Sequence, residues 1–277
     1  MSQKKVNVGN IKCGADQMFL ISGPCVIEEE SIMMKVAEQL KKITERLDLP
    51  LIYKSSFQKD NRSSVEYYMG PGLEKGLRAL EKIKNEFDVP ILTDIHYPDQ
   101  VKPAADVVDI IQIPAYLIMQ TNLVVEAEKS GSVINLKHGQ FLAPANMIKP
   151  VQKIETQGNH NIILTERGYT FGYNDLIVDP RSFYDLNEIG YPIVFDVTHA
   201  IRKYGIPSAD PSGGARQYLP VLGRAGVASG VDGLFIESHT CPSEALCDAA
   251  SQLDISLLEE FLKPLIEIHN VELKYRK

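Results

Sequence analysis

Short apolar runs punctuate the chain at residues 19–22, 51–53, 90–93, 109–113, 133–136, 161–164, 192–195 and 233–236. Each is rich in Ile, Val, Leu or Phe, the pattern of strands buried on both faces of a parallel sheet. Between most of them the apolar positions change to helical spacing. Residues 31–47 carry Ile32, Val36, Leu40, Ile43 and Leu47, and residues 73–87 carry Leu73, Leu77, Leu80, Ile83 and Phe87. Segments 121–130, 150–158, 215–229 and 255–273 are expected helices as well. The pattern weakens after Thr165, and 167–185 reads as a long loop. Eight strand–helix units in this length predict a (β/α)8 barrel, which typically takes ~250 residues. A doubly wound open sheet is the alternative. Ahead of the first run, residues 6–13 alternate around Gly9-Asn10, which predicts a hairpin closing the barrel bottom. With no linker or repeat in view, 1–277 reads as one barrel domain with 1–14 as an N-terminal hairpin extension.

Composition narrows the function classes. The chain has 277 residues, 44% of them hydrophobic, and a net charge of −7. Such a surface does not attract nucleic acid or anionic membrane as a whole. No apolar run approaches the ~20 residues of a membrane span. The N-terminus lacks the apolar core of a signal peptide, so a cytoplasmic location is expected. Cys13, Cys25, Cys241 and Cys247 are too sparse for a disulfide framework and are expected to be reduced.

Polar and reactive residues follow the apolar runs one after another. In order they are Gly23-Pro-Cys25, the segment 54–64, Thr93-Asp-Ile-His96, Gln112 with Pro114, Lys137-His-Gly-Gln140, Thr165-Glu-Arg167, Asp196-Val-Thr-His199 and Glu237-Ser-His239. A barrel gathers such strand ends around one mouth, the face where barrel enzymes carry their active sites. Lys54, Lys59, Arg62, Lys137 and Arg167 make that mouth cationic on an acidic protein. The ligand they imply is strongly anionic, most simply phosphates with a carboxylate. Pairing of each cation with a local carboxylate is the competing explanation. Ser56, Asn61, Ser63, Asp94 and Gln140 add directional hydrogen-bonding groups to the candidate substrate site. Cys25, His199, Glu237 and Asp248 form a second set whose thiolate, imidazole and carboxylates suit Zn2+, Fe2+ or Mn2+. Taken singly, Cys25 reads as a small buried hydrophobe, His199 as a general acid or base and Asp248 as a helix cap. Cys13, Cys241 and Cys247 read as structural. The glycine-rich stretch 70–76 has the wrong spacing for a nucleotide loop and reads as a turn opening a helix. Ser212-Gly-Gly-Ala-Arg216 reads as a helix opening able to hold an anion, or as a lid or plain turn. His138, His160 and His269 have no partner that the sequence identifies.

A series of motifs then carries a resemblance. Gly23-Pro-Cys-Val-Ile-Glu28, Lys54-Ser-Ser-Phe57, Asn61-Arg-Ser-Ser64, Gly70-Pro-Gly-Leu73, Thr93-Asp-Ile-His96, Ile111-Gln-Ile-Pro-Ala115, Gly139-Gln-Phe-Leu-Ala-Pro144, Leu164-Thr-Glu-Arg-Gly168, Phe171-Gly-Tyr-Asn174, Phe195-Asp-Val-Thr-His199 and Ser212-Gly-Gly214 occur in this order. From about residue 5 to the C-terminus the chain closely resembles the 3-deoxy-D-manno-octulosonate 8-phosphate (Kdo8P) synthases.

The resemblance implies a (β/α)8 barrel, usually a homotetramer, that condenses phosphoenolpyruvate (PEP) with arabinose 5-phosphate and water. The products are Kdo8P, which feeds lipopolysaccharide synthesis, and inorganic phosphate. It also implies a divalent metal on Cys25, His199, Glu237 and Asp248, because metal-dependent members carry Cys where others carry Asn. Lys137 and Arg167, with Lys54 nearby, match the PEP side, and Lys59, Asn61, Arg62 and Ser63 match the sugar-phosphate side. Catalytic roles fall on His199, Asp248, Lys137 and Cys25. The chain departs from the family at Met119, where an Arg is usual, at Asp60, usually Ala, and at His138, usually Lys. A PEP-condensing relative using another aldose phosphate, such as erythrose 4-phosphate, and a non-catalytic barrel scaffold are the competing readings.

Overall fold

The computed structural model describes residues 3–170, 175–207 and 210–276. The motif at 171–174 and the first two residues of the hairpin extension lie outside the described residues. A two-stranded antiparallel hairpin comes first, β1 (Val6–Val8) and β2 (Ile11–Cys13). Eight parallel strands come next: β3 (Phe19–Gly23), β4 (Leu51–Lys54), β5 (Ile91–Asp94), β6 (Ile110–Ile113), β7 (Val133–Lys137), β8 (Ile162–Glu166), β9 (Ile193–Asp196) and β10 (Gly233–His239). They pair in chain order, and β10 pairs with both β9 and β3, which closes the barrel. A two-residue strand, β11 (Leu253–Asp254), extends the sheet beside the end of β10. All eight expected strands are found.

The helices that were expected form the outer layer. They are α1 (Glu30–Arg46), α2 (Leu73–Phe87), α4 (Thr121–Lys129), α5 (Ile148–Glu155), α8 (Leu219–Ala228) and α9 (Leu258–Glu272), with a short α3 (Val101–Ala105) between α2 and α4. Gly72 sits at the start of α2, so the glycine-rich stretch is the helix-opening turn it reads as. The expected loop at 167–185 is corrected in part. Its end belongs to α6 (Arg181–Asn187), which buries Phe183 and Leu186. Seven residues with two core contacts are too short to show helical periodicity. Residues 211–213 and 216–218 are single 3-10 turns ahead of α8, so the Ser212 segment is a turn, with Asp210 accepting from the Ser212 amide.

Two apolar layers hold the fold. The outer one lies between barrel and helices and includes Leu40, Tyr53, Leu80, Ile83, Leu164 and Leu262. The inner one fills the barrel with a ring of Ile21, Ile52, Leu92, Ile110, Val133, Ile163, Val194 and Phe235, to which β3 adds Phe19. Val6, Val8, Ile11 and Cys13 of the hairpin join the inner cluster, while Asn7 and Lys12 face out. The hairpin therefore stoppers one end of the barrel. Each such buried aliphatic side chain contributes about 1.5–3 kcal/mol.

At the opposite end, β3 and β4 approach too closely for any side chain at Gly23. A Cβ there would lie 2.1 Å from the Lys54 carbonyl oxygen, and its φ of 152° already favours glycine. Gly23→Ala is expected to destabilise the fold by about 2–3 kcal/mol in denaturant unfolding, although it deletes no contact.

Candidate active site

Side chains repeat every two residues along a strand, so the inner ring fixes which residues form the layer above it. Two residues beyond the ring the same face carries Lys54, Asp94, Gln112, Asn135, Thr165, Asp196 and Glu237. A further step of two adds Lys137 and Arg167. A short chain of neutral groups lies across part of this layer: Thr165 donates to Asn135 at 2.7 Å, and Asn135 donates to Gln112 at 2.8 Å. Beside it in the same layer lie the buried charges Lys54, Asp94, Asp196 and Glu237, with Lys137 and Arg167 one step above.

The pairing of these charges is asymmetric. Lys54 Nζ contacts Glu237 at 2.8 Å, donates to the Cys25 carbonyl at 3.1 Å and lies 3.9 Å from Asp94. Lys59 is 3.7 Å from Asp94, which also accepts from Ser56. Lys137 is paired with Asp196 and sits 3.9 Å over the Phe235 ring. The competing explanation, local pairing, thus describes Lys54, Lys59 and Lys137. Arg167 instead donates to the Tyr204 hydroxyl at 2.8 Å, an oxygen that also accepts from Gln140. Burial would raise the Asp94 carboxyl, but Lys59, Lys54 and His96 outweigh it and hold it well below the usual range. Burial likewise works against Glu237, and His199, Lys54 and Lys59 overcome it. At Lys137 burial wins over Asp196, so its ammonium is more acidic than a surface lysine's.

The second set converges beside these pairs. Asp196 caps the one-turn helix α7 (Val197–Ala200) by accepting from the His199 amide at 2.9 Å. Its other oxygen lies 2.8 Å from His199 Nδ1. That contact turns Nε2 toward Asp248, 3.5 Å away, and Glu237, 3.7 Å away. Cys25 Sγ is 3.5 Å from the same Asp248 carboxylate. Asp248 adopts a left-handed backbone with φ of 46°, a conformation Asp tolerates better than most residues. The four expected ligand residues are therefore together. Glu237 Oε2 is buried with no hydrogen-bond partner among the described residues, His199 Nε2 standing 3.7 Å off. A carboxylate oxygen left bare in this way is costly unless a cation completes it, so the site fits a divalent ion.

The cavity at the mouth is lined by Lys59, Asn61, Arg62, Ser63, Gln140, Arg167 and Asp248, among others. It also takes Arg202, Lys203 and Tyr204, which sequence reasoning missed although they directly follow the polar end of β9. Burial would raise the Tyr204 phenol, but Arg167 outweighs it and lowers it. Two further omissions lie deeper. Cys247, read as structural, has its Sγ 3.1 Å from Cys25 Sγ. Gln252 accepts from the Cys25 amide at 3.2 Å and donates to the Cys247 carbonyl at 2.8 Å, tying the two loops together. His138 now has partners, Glu166 at 2.8 Å and the Leu142 carbonyl at 2.6 Å. Asp60 bonds the Tyr97 hydroxyl, and Met119 is partly exposed.

Fold and mouth together define a (β/α)8 barrel with the layout of an enzyme acting on small anions. The chain belongs to the DAHP synthetase I family, which matches residues 2–273. It is 50% identical over 263 residues to the 2-dehydro-3-deoxyphosphooctonate aldolase of Geotalea uraniireducens strain Rf4, covering 95% of this chain and 96% of the relative. The proteins of the same name from Geotalea daltonii and Trichlorobacter lovleyi are 50% and 49% identical over the same shares.

Asp94 supplies a pH test. Its folded-state pKa lies below the unfolded value of about 3.9, so its contribution to stability is complete above that pH and is lost as pH falls further. The stability difference between wild type and Asp94→Asn should be constant above about pH 4 and shrink on further acidification, as read by denaturant titration at each pH.

Proposed function

We propose that this protein condenses PEP with D-arabinose 5-phosphate and water, giving Kdo8P and inorganic phosphate as a Kdo8P synthase of lipopolysaccharide biosynthesis. The observation that carries the reading is the charge at the mouth. Lys54, Lys59, Arg62, Lys137, Arg167, Arg202 and Lys203 line the cavity against only two carboxylates among the described lining residues, Asp94 and Asp248. Glu237 and Asp196 neutralise Lys54 and Lys137 from outside the lining, and the positive charge that remains suits phosphate and carboxylate groups. The name borne by the similar proteins, 2-dehydro-3-deoxyphosphooctonate aldolase, supports the same product.

Arg167 and Lys137, with Lys54 and Gln140, hold PEP, and Tyr204 marks an oxygen position on Arg167 that an anion can take. Lys59, Asn61, Arg62 and Ser63 hold the sugar phosphate, with Ser56 and Asp94 orienting Lys59. This brings C3 of PEP against the aldehyde carbon, an advantage of proximity that solution lacks. As the C–C bond forms, the aldehyde oxygen takes a proton and positive charge develops at C2. Water adds there and loses a proton, and phosphate departs. Lys137, acidified by burial, suits the donor role, and His199 or Asp248 the acceptor role. A divalent ion on Cys25, His199, Glu237 and Asp248, whether Zn2+, Fe2+ or Mn2+, would polarise the water or the aldehyde. We further read the protein as cytoplasmic and, as the resemblance implies, a homotetramer. No helix among the described residues is long and apolar enough to cross a membrane.

Phosphate release from PEP with each aldose phosphate tests the reading. Release is expected with arabinose 5-phosphate and should be lost in EDTA and in Cys25→Ala. Release with erythrose 4-phosphate alone would overturn the acceptor, release with neither the enzyme reading, and full activity after chelation the metal. Arg167→Ala should lower kcat/KM for PEP by roughly 10- to 100-fold, the worth of one charge-assisted hydrogen bond. Arg62→Ala should act mainly on KM for the aldose phosphate.

A further inference from the structure

Sequence pattern assigns Cys247 to the core, yet its sulfur faces the candidate metal ligands. Cys25 Sγ and Cys247 Sγ are 3.1 Å apart, and both are buried. The ligand atoms of Cys25, Cys247 and Asp248 all lie within 4.8 Å of one another, and so do those of His199, Glu237 and Asp248. Asp248 belongs to both groups, so an ion bound at its carboxylate has both sulfurs within reach. The placement is built rather than incidental. Asp248 adopts a left-handed backbone, and its carboxylate and the neighbouring Cys247 sulfur lie within 4.8 Å of each other. Gln252 holds the Cys25 amide and the Cys247 carbonyl with one side chain. Arg62 donates to Cys247 Sγ at 2.8 Å, which fixes where that sulfur points.

We propose that Cys247 is a second sulfur ligand of the metal centre, alongside Cys25. The inference rests on the metal reading above and extends it to a residue outside the expected ligand set. Two thiolates favour a borderline ion such as Zn2+ or Fe2+ over Mn2+, because soft sulfur donors bind hard cations weakly. Arg62 then touches both the proposed aldose-phosphate seat and a ligand of the metal, which couples the acceptor's phosphate to the metal centre directly.

The test uses Co2+ as the probe on full-length protein, freed of metal and reduced with a phosphine. Bound Co2+ is counted by dialysis, and thiolate-to-Co2+ charge-transfer absorption is read in the near ultraviolet. Wild type should show this absorption, Cys25→Ser and Cys247→Ser should each keep about half of it per bound ion, and the double variant none. Undiminished absorption in Cys247→Ser, or bound Co2+ without thiolate absorption in Cys25→Ser, would overturn the proposal. If Cys247→Ser does not fold, Cys25→Ser decides alone, since the cysteine left at the site is Cys247. Failure of wild type to bind Co2+ would overturn the metal reading itself, whereas bound Co2+ with one thiolate's absorption overturns only this inference.

Discussion

In a closed parallel barrel every second residue of every strand faces the axis, and the axis can be apolar for only part of its length. Here the inner ring from Ile21 to Phe235 is sealed beneath by the hairpin side chains Val6, Val8, Ile11 and Cys13. The next inward positions have no apolar partners above them and open toward the mouth. Lys54, Asp94, Asp196 and Glu237 occupy them. Their placement is therefore a consequence of strand register. Glu237 is paired in register with Gly23, and Lys54 lies on the strand beyond. The absence of a side chain at Gly23 lets the Lys54 backbone approach that strand closely.

Burying such charges is costly, and the cost is offset in two ways. Lys54 with Glu237, and Lys137 with Asp196, are paired inside the protein, where the attraction is less screened than in water. Arg167 reaches the mouth on the neutral Tyr204 hydroxyl, and Arg202 is shared between the Gly213 carbonyl and the Asp248 carboxylate. The inner pairs keep the site assembled, and the outer cations leave charge for a ligand. That division explains why an acidic protein carries a cationic mouth.

The strands were legible because each is a short, continuous apolar run bounded by polar residues, a pattern that burial on both faces imposes. The candidate ligand set Cys25, His199, Glu237 and Asp248 was legible from residue chemistry at and after the strand ends, and the family resemblance strengthened it. The residues that escaped notice depend on tertiary placement. Cys247 and Gln252 lie in the turn region after β10, where no periodicity reports direction, and they are buried there through contacts with each other and with Cys25. Helix α6 is too short for a pattern. Arg202 and Lys203 were readable in principle, because the same strand-end rule applies a few residues beyond His199.

The departures from the family at Asp60 and Met119 bear on acceptor choice, and the geometry separates them. Asp60 would oppose a phosphate if it faced the cavity. Its carboxylate instead accepts the Tyr97 hydroxyl, and it is not among the residues lining the mouth. Met119 leaves a missing positive charge, which Asp60 therefore does not deepen. Arg202 and Lys203 line the same cavity and were not part of the charge count that made the acceptor side look depleted. Arg202 lies 3.8 Å from Asp248 and is anchored by the Gly213 carbonyl at 2.7 Å, so its position is held from both sides. Lys59 and Arg62 line this cavity too, so the loss of a cation at Met119 does not leave the mouth without positive charge.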